Sequence, residues 1–125
     1  MAKILVVDDE FGIGEVLREI LSDENHQVLL AINGRQGFTL AVQERPDLVF
    51  LDFMMPILDG AATLKLMKAD PVTAQIPVII MSSLSEATIA ERAPGYDAFV
   101  RKPFRLDTIV KVAATTLAVG GKTTE

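Results

Sequence analysis

Leu48-Val49-Phe50-Leu51-Asp52-Phe53-Met54-Met55-Pro56 is the stretch from which the fold can be read. Four consecutive apolar residues, some β-branched or aromatic, describe a strand buried on both faces, and the run stops at one carboxylate followed by a proline-containing loop. Asp52 therefore sits at the carboxyl end of a buried strand. In open α/β sheets that rim is where ligands bind, so a carboxylate held there by a rigid strand is placed for chemistry. The plainer reading of Asp52 is a turn former ending a strand, and the rest of the chain decides between the two.

The same punctuation recurs. Ile4-Leu5-Val6-Val7 ends in Asp8-Asp9-Glu10, and Pro77 to Met81, with proline expected at the strand's first position, ends in Ser82-Ser83. Tyr96 to Val100 runs into Arg101-Lys102-Pro103, and Gln27 to Ala31 makes a further short strand. Between them lie helical patterns. Ile13, Val16, Leu17, Ile20 and Leu21 repeat at helical spacing; Asn33-Gly34 opens a helix carrying Phe38 and Ala41 inward and ended by Pro46. Asp59-Gly60 opens another, with Ala61, Leu64 and either Met67 or the Lys68 stem on one face and Pro71 closing it. Ser83 to Glu86 has capping-box spacing for a weakly patterned helix over roughly 85–93, stopped by Pro94-Gly95. Leu106, Ile109, Val110, Ala113 and Leu117 mark the last helix.

Five strands alternating with five helices predict a parallel, doubly wound α/β sheet covered on both faces. All strand ends then share one rim, which gathers Asp8, Asp9, Asp52, Ser82 and Lys102. At 125 residues the chain makes one domain with a sizeable core; the expected limits are 1–119 for the domain and 120–125 for a flexible C-terminal tail. A net charge of −5 argues against nucleic acid or an anionic membrane as direct partners. There is no cysteine, so disulfides and thiolate chemistry are excluded. No apolar run reaches the roughly 18 residues of a membrane span, and a cytoplasmic location is the default expectation.

Converging carboxylates demand neutralisation, since a pair about 5 Å apart repels by roughly 3–4 kcal/mol at an effective dielectric near 20. Lys102 can neutralise one. A hard-oxygen, histidine-free ligand set asks for a hydrated divalent cation of the Mg²⁺ type, with Mn²⁺ as an alternative. An aspartate beside such a cation, a lysine and a hydroxyl is equipped to attack phosphorus and form an aspartyl phosphate. Lys102 and the cation would offset charge on the equatorial oxygens, and the Ser82 hydroxyl would donate to one of them. Each residue has a plainer reading: Asp8-Asp9 as an acidic helix start, Ser82 as a cap, Lys102 as a solvated side chain. Pro103 fixes a turn after Lys102, with a cis bond as one way of aiming the lysine.

Taken together, Asp8-Asp9, Leu51-Asp52 with Met54-Met55-Pro56 and Asp59-Gly60, Ser82, and Lys102-Pro103-Phe104 resemble the receiver domain of bacterial two-component response regulators, from Ile4 to about Leu117. The resemblance implies a flavodoxin-like sheet in the order 2-1-3-4-5 and Asp52 as phosphoacceptor from a sensor histidine kinase or phosphotransfer protein. It implies Mg²⁺ held by Asp8, Asp9, Asp52 and the Met54 main-chain carbonyl, and Lys102 as the salt-bridging lysine. Ser82 would follow the phosphoryl group inward and Phe99 would be the aromatic switch, so that the face of the fourth helix, fifth strand and fifth helix signals to a downstream protein target. Phe99 lacks the hydroxyl of the usual tyrosine, and an ordinary edge-strand core role is its competing reading. Met54, Ser83 and Leu84 would flank the phosphoryl group; Met54 and Leu84 are apolar and cannot orient an attacking water, which predicts slow self-dephosphorylation. Ile57 stands where the family very often has glycine, implying a differently shaped loop after Pro56. Such a domain is a signalling module rather than a turnover enzyme, a monomer or a phosphorylation-dependent dimer.

Three rival readings exist. A haloacid-dehalogenase-type phosphatase needs a carboxylate two residues after its nucleophile, where this chain has Met54. A flavodoxin-like cofactor binder would have to place a phosphate at Gly12-Ile13-Gly14 beside Asp8-Asp9-Glu10, which repel it. A receiver piece of a longer DNA-binding regulator is the third, against the expectation of a stand-alone module. His26, the single histidine, reads as a surface turn residue.

Overall fold

A computed structural model describes residues 1–121, with side chains through residue 119. Five strands and five helices alternate: β1 (Lys3–Val7), α1 (Phe11–Ser22), β2 (Gln27–Ala31), α2 (Gly34–Glu44), β3 (Leu48–Asp52), α3 (Gly60–Ala69), β4 (Val78–Ser82), α4 (Glu86–Arg92), β5 (Ala98–Arg101) and α5 (Leu106–Gly121). The strands form one sheet in the order β2-β1-β3-β4-β5, every neighbouring pair parallel. The doubly wound architecture and its strand order are those expected.

The continuous apolar runs follow from burial on both sides, because successive side chains point to opposite faces. Leu5, Val7, Val49, Leu51, Val78 and Ile80 pack with Ala41, Leu64, Met67 and Ile89 under α2, α3 and α4. Their neighbours Ile4, Val6, Leu48, Phe50, Ile79, Met81 and Val100 pack with Leu17, Ile20, Leu21, Ile109 and Ala113 under α1 and α5. Each of the larger buried side chains among these contributes about 1.5–3 kcal/mol. The core thus stiffens the central strands β1, β3 and β4 that carry the site.

Helix starts follow local chemistry. Asn33 and Asp59 are N-caps, their side chains accepting from the backbone N–H of Gln36 and Ala62. Ser85 caps α4, accepting from Thr88 N–H. The expected Ser83–Glu86 capping box is therefore corrected: the cap lies two residues later and the helix is only seven residues long. Val16 and Leu106, read as core-facing, are 48% and 64% exposed. Gly14 takes the buried place on α1, and Leu106 is the first residue of α5.

Two strand limits shift. Pro77 lies just outside β4, although its carbonyl still accepts from Val49 N–H at 3.0 Å. β5 starts at Ala98 rather than Tyr96, because Asp97 turns its carboxylate onto Val78 N–H at 2.8 Å. His26 is half-buried, its Nδ1 accepting from Ala2 N–H at 3.1 Å; burial first, then the N-terminal charge, lowers its pKa. α5 runs two residues into the stretch expected as a tail, and residues 122–125 lie outside the described residues. No helix among the described residues is long and apolar enough to cross a membrane.

Candidate functional site

Three strand ends on one rim of the sheet build the site. β1 delivers Asp8, whose own N–H is tied to the Ala31 carbonyl at 3.0 Å and whose Oδ1 accepts from Glu10 N–H at 2.9 Å. β3 delivers Asp52 as its last residue, and β5 leads directly into Lys102, whose following bond to Pro103 is cis. Asp8 is 2% exposed and Asp52 5%, whereas Asp9 is exposed.

Lys102 Nζ donates to Asp8 Oδ2 and to Asp52 Oδ1, both at 3.1 Å, and lies 3.6 Å from Glu10 Oε1. One ammonium thus faces three carboxylates, with a fourth, Asp9, beside them. A carboxylate oxygen from each of Asp8, Asp9 and Asp52 lies within 4.8 Å of the others. Burial first, then the Asp8 charge, pushes the Asp52 carboxyl up to about 7 against the pull of Lys102. Asp8 is likewise raised, mainly by burial, with Lys102 and the Glu10 N–H opposing. Burial disfavours the Lys102 ammonium, but Asp52 and Asp8 together outweigh it and its pKa is raised.

This is a pocket short of positive charge. All three aspartates offer hard oxygen donors on one rim, which suits a hydrated divalent cation of the Mg²⁺ or Mn²⁺ type and not a softer metal. The loop after Asp52 is pinned close to the site: Gly60 N–H donates to the Phe53 carbonyl at 2.7 Å. A Cβ at position 60 would lie 2.6 Å from the Asp52 carbonyl oxygen, so only glycine admits this approach. Met54, in that loop, is 66% exposed.

The rim beyond Lys102 carries the remaining expected residues. Ser82, 3% exposed, closes β4, its Oγ accepting from Leu84 N–H at 3.0 Å. Ser83 is exposed and lines a groove of about 300 Å³ with Ile13, Lys102, Pro103 and Phe104. Leu84 is half-buried and packs on the core under α4. Phe99, also half-buried, packs on that core and borders a groove of about 330 Å³ toward Asp107, Lys111 and Val112 of α5. Two contacts were not anticipated from the sequence. Glu10 reaches Lys102, which its place in the acidic triplet after β1 allows, and Arg101 Nε donates to the Ser83 carbonyl at 2.8 Å. Nothing in the local pattern around Arg101 signals that second contact.

Comparison with known proteins places this geometry. Residues 4–114 match the model of the response regulator receiver domain. Sporulation initiation phosphotransferase F of Bacillus subtilis is 39% identical over 109 residues, covering 86% of each chain. Protein PilH of Pseudomonas aeruginosa is 37% identical over 120 residues, covering 94% of this chain and 99% of that one. Among solved structures, the receiver domain of NtrX from Brucella abortus superposes with a TM-score of 0.82 at 35% identity, covering 92% of this chain and 98% of that one. A match over most of the chain, on a sheet of the same order with three acidic residues and a lysine at its rim, leaves no place for the phosphatase or flavodoxin-like alternatives: the chain belongs to the receiver domain family of two-component response regulators.

Proposed function

We propose that Asp52 is the phosphoacceptor of this receiver domain and that Lys102, Ser82, Asp8 and Asp9 assemble the transfer site around it. The observation that carries this reading is the placement of Asp52: buried at the end of β3, 3.1 Å from Lys102 Nζ, with oxygens of Asp8 and Asp9 within 4.8 Å. Asp8, Asp9, Asp52 and the Met54 main-chain carbonyl would hold Mg²⁺, which when bound offsets the charge gathered on the transferring phosphoryl group.

One Asp52 carboxylate oxygen attacks phosphorus in line. The P–N bond of a phosphohistidine breaks, the electron pair stays with the imidazole nitrogen, and that nitrogen takes a proton from solvent. Lys102 keeps its proton throughout, a role its raised pKa supports, and salt-bridges an oxygen of the product. The Ser82 hydroxyl supplies a hydrogen bond to another oxygen. The donor is a sensor histidine kinase or a phosphotransfer protein in the cytoplasm, and the domain catalyses only its own phosphorylation and slow dephosphorylation. Phe99, half-buried between the α4-side core and the α5 groove, is the residue whose ring can report loop movement to the α4, β5 and α5 face, where a downstream protein would bind.

Intact mass after incubation with acetyl phosphate and Mg²⁺ tests the chemistry. The expected result is a gain of about 80 Da, one phosphoryl group, abolished by EDTA and by Asp52→Asn. A folded, Mg²⁺-binding protein that gains no mass would make this a receiver-fold binding module without a phosphoacceptor.

A further inference from the structure

The contact between Arg101 and the loop after β4 belongs to none of the roles above. Arg101 is the last residue of β5 and pairs in register with Ser82, just as Phe99 pairs with Ile80. Paired residues of parallel strands share a face, so Ile80, Ser82, Phe99 and Arg101 all lie on the side of the sheet covered by α4. From there the Arg101 guanidinium reaches across, and its Nε donates to the Ser83 carbonyl at 2.8 Å. No carboxylate pairs with Arg101 among the described residues, so no salt bridge competes for its donors.

Ser83 is the residue immediately after the one whose hydroxyl the transfer reaction needs. The Ser82 carbonyl is fixed by Lys102 N–H at 2.8 Å, and the Ser82 Oγ accepts from Leu84 N–H. The Arg101 bond is therefore a side-chain tie laid over the first loop residue beyond the strand ladder. It also spans from the Phe99 edge of β5 to the Ser82 end of β4, the two places whose movements must be linked if the domain is to switch.

Resting on the reading of Asp52 as phosphoacceptor, we propose that Arg101 is a positioning residue for phosphorylation: its bond to the Ser83 carbonyl holds the loop after β4, and with it Ser82, in the resting position. The loop gives up that bond as the Ser82 hydroxyl closes on the phosphoryl group. Removing the tie lowers the barrier to closure, and an ordinary exposed hydrogen bond of this kind corresponds to a factor of about two to ten in the closing equilibrium.

The test is the rate of phosphoryl-adduct formation from acetyl phosphate at saturating Mg²⁺, followed by intact mass in wild type, Arg101→Ala and Arg101→Lys, with Mg²⁺ affinity and thermal midpoint measured separately. Arg101→Ala is expected to react about two- to tenfold faster with Mg²⁺ affinity unchanged, and Arg101→Lys, which can still donate to the Ser83 carbonyl, to fall back toward wild type. An equal or slower rate in Arg101→Ala overturns the proposal; a slower one would assign the guanidinium to the phosphoryl group or its donor instead. A rate gain matched by loss of Mg²⁺ affinity or melting also overturns it, as general loosening of the fold. Arg101→Met, which keeps a long stem but has no donor for the Ser83 carbonyl, replaces the alanine variant if that one fails to fold, with the same sign expected. Wild type that gains no phosphoryl group defeats the Asp52 reading itself, and the Arg101 proposal with it.

Discussion

Lys102 Nζ stands 3.1 Å from Oδ1 of Asp52, yet the Asp52 carboxyl is pushed up to about 7. The ammonium does not win because it is shared. It faces Asp8 at the same distance, while burial withdraws the water that would otherwise stabilise the Asp52 charge. Without a cation the pocket therefore holds more negative charge than it can keep ionised at neutral pH, and the site is built at the expense of stability.

That imbalance fixes the sign of a pH effect. Asp52 titrates near 3.8 in the unfolded chain and near 7 in the folded one, so between those values the folded state binds the extra proton. Stability falls as pH rises through this window, and the destabilisation is complete above it. In EDTA, Asp52→Asn is expected to be more stable than wild type at pH 8, and the gap should widen by roughly 2–3 kcal/mol from pH 5 to pH 8 at about 1.4 kcal/mol per pKa unit. Urea unfolding of both proteins at the two pH values checks it. A gap that stays constant would mean that Asp52 ionises normally.

Metal binding should carry the mirror image of this dependence. A cation at Asp8, Asp9 and Asp52 must displace the Asp52 proton, so apparent Mg²⁺ affinity is expected to rise by up to about tenfold per pH unit below 7 and to level off above it. Calorimetric titration in buffers of different ionisation enthalpy would count the released proton. Uptake of Mg²⁺ with no proton released at pH 6 would place the cation away from Asp52.

Much of this site was legible because each of its residues ends an apolar run. Asp8, Asp52, Ser82 and Lys102 follow strands that the sequence marks by continuous burial, and a parallel sheet brings such ends together whatever the details of packing. Features set by tertiary contact were not legible. The start of β5 depends on Asp97 reaching Val78, 19 residues away, and the exposure of Val16 and Leu106 on which residues of α1 and α5 the tertiary packing buries. Both Ser83 and Ser85 fit a cap, and only the observed bond to Thr88 N–H selects the second. The Arg101 tie needed the register of β4 against β5, which no local pattern encodes.

Met54 and Leu84 bear on how long a phosphoryl group would last. Met54 is largely exposed above the site, and Leu84 turns toward the core, so neither offers a polar atom to orient water against phosphorus. Met54→Asn with Leu84→Glu should shorten the phosphoryl half-life by at least about tenfold, below the usual 10²–10⁴ range of a fully positioned acid or base. Decay of the adduct by mass spectrometry after removal of acetyl phosphate gives the number. An unchanged half-life would show that water access, not its orientation, limits hydrolysis.

The loop that carries Met54 also holds the clearest backbone strain among the described residues. Leu58 N–H donates to the Pro56 carbonyl at 2.7 Å, closing a γ-turn centred on Ile57, whose φ is 72°. A β-branched residue in the left-handed region crowds its Cβ against the carbonyl, which costs about 1–2 kcal/mol. Its side chain recovers little, being 74% exposed. Glycine removes the clash but adds about 0.5–1 kcal/mol of unfolded-state entropy. Ile57→Gly is therefore expected to stabilise the domain by roughly 0.5–1 kcal/mol, read as a higher urea midpoint at unchanged slope. Ile57→Val keeps the branched Cβ and should show no gain. The gain in Ile57→Gly should leave Mg²⁺ affinity intact, because the turn lies beyond Met54 and contributes no carboxylate. If glycine proved less stable than isoleucine, the Ile57 side chain would have to be making contacts worth more than the clash, despite its exposure.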